Sequence, residues 1–197
     1  WELSTHRGSS YNAYLVKDRK VAVVDTVWAP FCDRFLENLR ELVDPASIDY
    51  VVANHAETDH SGSLPALMRL CPNATVVVSP RGKDSIPGHY HESWKMQVVK
   101  TGDSIGLGDT ELVFVEAPML HWPDSMFTYV KGRNLLLSND AFGQHYATSL
   151  RFNDQVDRTE LYEEAVKYYA NILTPFSELV LKKIDEVLAL KLPVDMI

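Results

Sequence analysis

Six consecutive residues, His55-Ala56-Glu57-Thr58-Asp59-His60, carry four potential metal ligands and follow directly on the apolar run Tyr50-Val51-Val52-Ala53. A short apolar run that ends in ligands reads as a buried strand delivering side chains to the loop at its end. In an extended segment His55, Glu57 and Asp59 project to one side, because side chains alternate with a period of two. His60 then adds an imidazole from the following turn. Two imidazoles and two carboxylates at this density exceed what one four-coordinate ion takes from a single loop, so the segment implies a dinuclear site. The competing reading is a solvated charged turn, which rarely sets four ligands straight after an apolar strand.

The flanking patterns predict what carries that loop. Residues 11–16 and 21–25 are strand-like around the polar turn Lys17-Asp18-Arg19-Lys20, which makes a hairpin. Phe31, Phe35, Leu39 and Leu42 recur at helical spacing and predict an amphipathic helix stopped near Pro45. Leu64, Leu67, Met68 and Cys71 make a second stripe, with Pro65 tolerated in the first turn. Residues 75–79 form a β-branched strand, and 96–99, 111–116, 125–130 and 134–138 read as further strands. Lys131-Gly132-Arg133 closes the last pair as a tight hairpin. Leu161, Ala165, Tyr169 and Ile172 mark a helix, and another opens with Thr174 as N-cap and Pro175 behind it, burying Val180, Ile184, Val187 and Leu188. Two sheets packed face to face with helices outside, an α/β arrangement, accommodate this order.

Composition narrows the partners. The 197 residues suit one domain, 1–197, and an apolar fraction of 46% is ordinary for a globular core. A net charge of −8 argues against a nucleic-acid partner, because neutralising phosphates needs a basic patch. No run of eighteen apolar residues is present to span a membrane, and no signal peptide opens the chain. The two cysteines, Cys32 and Cys71, form no CxxC, which points to a reducing cytoplasm, with Cys71 in the core. The chain begins at Trp1 rather than a methionine and ends on Pro193-Val194-Asp195-Met196-Ile197, an apparent strand opening, so it is expected to be shortened at both ends.

Two more ligand candidates stand at strand ends: His121 in Leu120-His121-Trp122-Pro123-Asp124-Ser125, and Asp140 in Ser138-Asn139-Asp140. Taken alone, each is weak: a lone histidine beside Trp and Pro is more often structural, and an aspartate after a strand more often a turn or helix cap. His89 and His91 read as an exposed loop, and His145 as a helix-face residue or one behind the ligands.

These residues carry a resemblance to the metallo-β-lactamase-fold domain of the flavodiiron proteins. It rests on YNAYLV with the following DT, then NHAETDHSGSLP, LHWPDSM, SNDAFGQHYATS and YYANIL, and it covers essentially the whole chain. The resemblance implies a four-layer αββα sandwich holding two iron ions. One ion takes His55, Glu57 and His121; the other takes Asp59 and His60; Asp140 bridges both. It also implies a seventh ligand, a histidine after the strand at which the chain stops, that no residue here matches. By the same resemblance His6 lines the substrate pocket and Tyr169 stands near the diiron centre, although Tyr169 also lies on a core stripe.

The implied activity is reduction of O2 to water or of NO to nitrous oxide. Electrons would come from FMN on a flavodoxin-like domain outside this chain, refilled by a rubredoxin-type or other donor, in a head-to-tail homodimer. The alternatives are a zinc-dependent hydrolase of the same fold and an inactive fragment lacking one ligand. Glu57 counts against zinc, because it supplies a hard anionic oxygen where such hydrolases resemble HxHxDH.

Overall fold

Parity along the strands decides which face of each sheet meets which layer. The computed structural model describes residues 5–197, so Trp1 lies outside the described residues. The first sheet has the order β1 (Tyr14–Lys17), β2 (Val21–Val24), β3 (Tyr50–Ala53), β4 (Thr75–Val78) and β5 (Met96–Val98). β1 and β2 form the expected antiparallel hairpin, and β2 to β5 run parallel. The second sheet is antiparallel throughout, in the order β6 (Ser104–Gly106), β7 (Glu111–Glu116), β8 (Met126–Lys131) and β9 (Leu135–Leu137).

Alternate residues separate into different cores. Ala22, Val24, Val52 and Val77 of the first sheet meet Leu112, Phe114, Met126 and Val130 of the second. Their alternate neighbours Val23, Val51, Val76 and Val78 turn outward onto α1 (Cys32–Leu42), α3 (Leu64–Leu70) and α4 (Gly82–Tyr90) through Leu36, Leu39, Leu64, Leu67 and Ile86. Val115, Phe127 and Tyr129 cover the other side of the second sheet and receive Val180 and Val187 of α6 (Ser177–Ala189), which follows α5 (Arg158–Tyr168) in the chain. Two sheets flanked by helices result. Each large side chain withdrawn from water in these layers, such as the fully buried Leu67, contributes roughly 1.5–3 kcal/mol.

Several expectations need correction. The α1 stripe is rotated: Leu36 and Leu39 are buried, whereas Phe31 and Leu42 are exposed. Residues 87–91 are not a loop, since α4 runs through Pro87 to Tyr90 and ends at His91 in the left-handed region. β6 carries only three residues and was not expected. Thr174 is not an N-cap; its hydroxyl donates to the Tyr169 carbonyl, and a 3-10 turn, Thr174–Phe176, precedes α6. Ile184 and Leu188 stay exposed on α6 while Val180 and Val187 pack. Cys71 is in the core as expected, and both cysteines are free. Among the described residues no helix is long and apolar enough to cross a membrane.

Candidate metal centre

β2, β3 and β4 are parallel and in register, so the residues that follow them, Asp25, Asn54 and Ser79, lie along one edge of the first sheet. The Met126 N–H at the start of β8 donates to the Asn54 carbonyl at 2.9 Å, which ties the second sheet to that edge. The connection from β7 to β8 delivers His121 there, and the end of β9 delivers Asp140. Ligand-bearing segments from both sheets therefore converge.

The loop after β3 is fixed at both ends. Asp25 accepts the Asn54 backbone N–H at 2.8 Å and its side-chain amide at 3.0 Å, and Thr128 donates to the Asn54 Oδ1 at 2.7 Å. The Thr26 N–H and hydroxyl both donate to the His60 carbonyl at 2.8 Å. Between these anchors the chain stays extended only through Glu57. A single helical turn, α2 (Thr58–Ser61), then begins, with the Ser61 N–H on the Glu57 carbonyl at 2.9 Å. The expectation of one extended stripe through Asp59 is therefore corrected. His55 and Glu57 face one way, and the helical turn swings Asp59 and His60 to a second position.

The donor atoms form two groups joined by one carboxylate. His55 Nε2 lies 3.3 Å from both Glu57 Oε2 and Asp140 Oδ2, and His121 Nε2 lies 3.1 and 3.3 Å from the same two oxygens. Donor atoms of these four residues all lie within 4.8 Å of one another. On the other side, His60 Nε2 lies 2.8 Å from Asp140 Oδ1 and 3.6 Å from Asp59 Oδ2. Neighbouring donors on one ion with bonds of about 2.0–2.2 Å sit about 2.8–3.6 Å apart, across octahedral and tetrahedral geometry. All six separations fall in that range.

Two orphaned atoms point the same way. Asp140 Oδ2 and Asp59 Oδ1 are buried and make no hydrogen bond. Burying a carboxylate oxygen without a partner is costly, and a cation at each position removes the cost. The residues present therefore suit a pair of metal ions.

Charge within the cluster is strongly coupled. Burial opposes a charged His55, but the Asp124, Asp140 and Glu57 carboxylates outweigh it and hold its pKa well above the ordinary value. His121 rises to about 9 in the same way, against its own burial, through Asp140 and Glu57. Burial would raise Glu57, yet hydrogen bonds from His121 and His55 bring it down to about 2. Asp140 is likewise held well below the carboxylate range by three imidazoles despite burial. Asp59 goes the other way: burial and the like charges of Glu57 and Asp140 raise its pKa, although the His60 charge opposes them.

Apolar walls close part of the site. Leu120 is buried, and the Trp122 ring stands edge-on to His55 at 5.4 Å and to His121 at 6.4 Å. His89, no ligand here, stacks on the outer face of Trp122 at 5.8 Å. Met119, beside Leu120, is exposed.

Among the described residues, two expected site residues make no hydrogen bond or ion pair with the cluster. His6 is exposed, and its neighbour Arg7 pairs with Glu160 and Glu164 at 3.0 and 3.4 Å. Tyr169 is 38% exposed, with its hydroxyl donating to Ser177 Oγ at 3.0 Å. Its neighbour Tyr168 is the buried tyrosine, and burial together with the nearby Asp140 carboxylate pushes its pKa up. At about 100° per residue, Tyr168 is two turns beyond Leu161 and about 20° from it, whereas Tyr169 is rotated by about 80°. His145 lies in a loop behind Tyr168, with ring centroids 5.0 Å apart. Sequence reasoning also missed Asp124, which hydrogen-bonds His55; an acid beside Trp122 and Pro123 reads as a turn residue.

A family model described as ODP family beta lactamase matches residues 10–197. The nitric oxide reductase of Moorella thermoacetica is 55% identical over 192 residues, covering 97% of this chain and 48% of that protein. The anaerobic nitric oxide reductase flavorubredoxin of Salmonella typhi is 54% identical over 198 residues, covering 100% of this chain and 41% of that protein. Among solved structures, rubredoxin oxygen:oxidoreductase from Desulfovibrio gigas superimposes with a TM-score of 0.94 at 39% identity, over 98% of this chain and 48% of that one. The flavodiiron protein from Giardia intestinalis does so with a TM-score of 0.91 at 36% identity, over 96% and 46%. The chain spans about half the length of the curated relatives it matches. With a match running through both sheets and every residue of the cluster, the chain belongs to the ODP beta-lactamase family.

Proposed function

We propose that residues 1–197 are one diiron domain, the part of a flavodiiron oxidoreductase that reduces O2, NO or both. The observation that carries this reading is Glu57 Oε2, 3.1 Å from His121 and 3.3 Å from His55, a hard anionic donor within an imidazole pair. Glu57, Asp59 and Asp140 together offset three of the four charges on two divalent ions. That balance suits iron, which changes oxidation state, over zinc, which has no redox chemistry. Relatives named for nitric oxide reduction and for oxygen reduction support both substrates.

His55, Glu57 and His121 would hold one iron, Asp59 and His60 the other, with Asp140 shared. When bound there, iron would supply redox chemistry for reducing the diatomic. The protein's own part is to keep the two groups of donors side by side, to exclude water with Leu120 and Trp122, and to keep the buried Tyr168 ring near the Asp140 carboxylate. Electrons would reach the site from FMN on a flavodoxin-like domain and a rubredoxin-type donor, in a head-to-tail pair of copies in the cytoplasm. The test is anaerobic loading with ferrous iron or zinc, followed by NO and O2 consumption with a reduced flavoprotein added. Iron-dependent consumption supports the reading. Consumption by neither form, with zinc-dependent ester or lactam hydrolysis instead, replaces it with the hydrolase.

A further inference from the structure

Asp124 enters the site from the opposite side to the ligands. Only 2% of the residue is exposed, at the entry to β8. Its Oδ2 accepts the Ala56 backbone N–H at 2.6 Å and faces His55 Nδ1 at 3.3 Å. Its backbone carbonyl accepts the Ser79 hydroxyl at 2.7 Å, and that hydroxyl oxygen accepts the Gly82 N–H at 3.0 Å at the start of α4. The remaining oxygen, Oδ1, is buried with no hydrogen-bond partner. His55 is the one ligand imidazole within ion-pair reach of this carboxylate; His60 and His121 meet Asp59, Glu57 and Asp140 instead.

A buried carboxylate held by one backbone amide is under-compensated. The shortfall is made up when His55 uses Nε2 for a metal ion and turns Nδ1–H toward Asp124, because the ion's charge then reaches the carboxylate through the ring. The same contact leaves His55 one usable tautomer, with the Nε2 lone pair directed at Glu57 and Asp140. Through Ala56 it also fixes the backbone on which His55 is carried.

We infer that Asp124 is a positioning residue for one half of the metal pair: it fixes the tautomer and aim of His55 and tightens the His55-side position without touching the His60-side one. The inference rests on the metal-centre reading above but not on the redox activity.

The test is a stepwise anaerobic titration of this chain with cobalt(II), comparing wild type with Asp124→Asn and Asp124→Ala. Asparagine keeps an acceptor oxygen for Ala56 and for Nδ1–H but loses the charge; alanine loses both. The first binding step should weaken by ~10–100-fold in Asp124→Ala and by less in Asp124→Asn, with the second step unchanged. The exchangeable His55 Nδ1–H, seen as a paramagnetically shifted proton resonance, should persist in wild type and Asp124→Asn and vanish in Asp124→Ala. An unchanged first step in Asp124→Ala overturns the inference, as does equal weakening of both steps with no recovery in Asp124→Asn. Should Asp124→Ala not fold, as judged by circular dichroism, Asp124→Asn decides. A weakened first step with a retained resonance supports the inference, and an unchanged first step overturns it. A wild-type chain that binds no cobalt overturns the metal-centre reading together with this inference, whereas normal binding insensitive to Asp124 overturns this inference alone.

Discussion

Asp140 reaches His60 with one carboxylate oxygen, Oδ1 to Nε2 at 2.8 Å, while its other oxygen lies 3.3 Å from the Nε2 of both His55 and His121. One side chain therefore belongs to both donor groups. The groups are unequal among the described residues: His55, Glu57, His121 and Asp140 converge as four donors, against Asp59, His60 and Asp140 as three. Affinity for the two ions should differ accordingly.

Replacing Glu57 with histidine exchanges an anionic oxygen for a neutral nitrogen and converts the loop to the HxHxDH pattern. The iron-to-zinc ratio bound in competition should shift toward zinc by about tenfold, the scale on which a change around a metal site alters its affinity. Metal analysis after anaerobic competition measures it. A ratio unmoved by Glu57→His means that this carboxylate does not set selectivity.

The metal-free protein should lose stability between pH 6.5 and about 9. His121 has its folded pKa raised to about 9, so its stabilising charge is fully present below the ordinary histidine value and is lost as pH rises through 9. Glu57, lowered to about 2, contributes above its ordinary value and loses that contribution only as pH falls toward 2. Asp25 is raised to about 6 by burial, so its cost develops below pH 6 and is complete above it, leaving histidines as the groups that titrate in this window. Metal affinity should rise across the same interval, because the ligand imidazoles must shed protons to bind. Thermal unfolding and metal titration across pH 6–9 check both trends; metal-free stability that rises with pH there would contradict them.

Tyr168 and Tyr169 should behave oppositely. A Cβ on Gly143 would sit 2.6 Å from Cζ of the Tyr168 ring, so Gly143→Ala must displace the buried ring near Asp140. The expected cost is about 1–3 kcal/mol, with weaker metal binding. Tyr169→Phe removes an exposed hydroxyl from Ser177 and should stay within about 0.5 kcal/mol of wild type. Chemical denaturation of the two variants distinguishes them, and a Tyr169→Phe that loses metal while Gly143→Ala keeps it would return the role to Tyr169.

The sheets were legible because strand patterns such as Tyr50–Ala53 and Glu111–Glu116 are bounded by turns and match the observed elements residue for residue. α4 was not, since Gly82, Pro87 and Gly88 interrupt any apolar period, and its helical state depends on Ile86 packing against the first sheet. His121 and Asp140, each weak alone, became ligands only through the family resemblance, whereas His55, Glu57, Asp59 and His60 could be read as a density of donors after a strand. Their partition could not, because it depends on the helical turn that starts at Thr58. Tyr168 was missed by one residue, where only the phase of the helix separates a buried hydroxyl from an exposed one. Asp124 has no spacing signal at all: it reaches His55 through the approach of one sheet to the other.

The most direct test of a paired site sharing one carboxylate is anaerobic ferrous titration of wild type and Asp140→Ala, followed by metal analysis and Mössbauer spectroscopy. Wild type should bind iron in two unequal steps, the tighter one at the His55 side, and Asp140→Ala should weaken both by at least ~10-fold, since each loses a direct ligand. Two equal steps in wild type, or an Asp140→Ala variant that loses only one, would contradict the shared-carboxylate account.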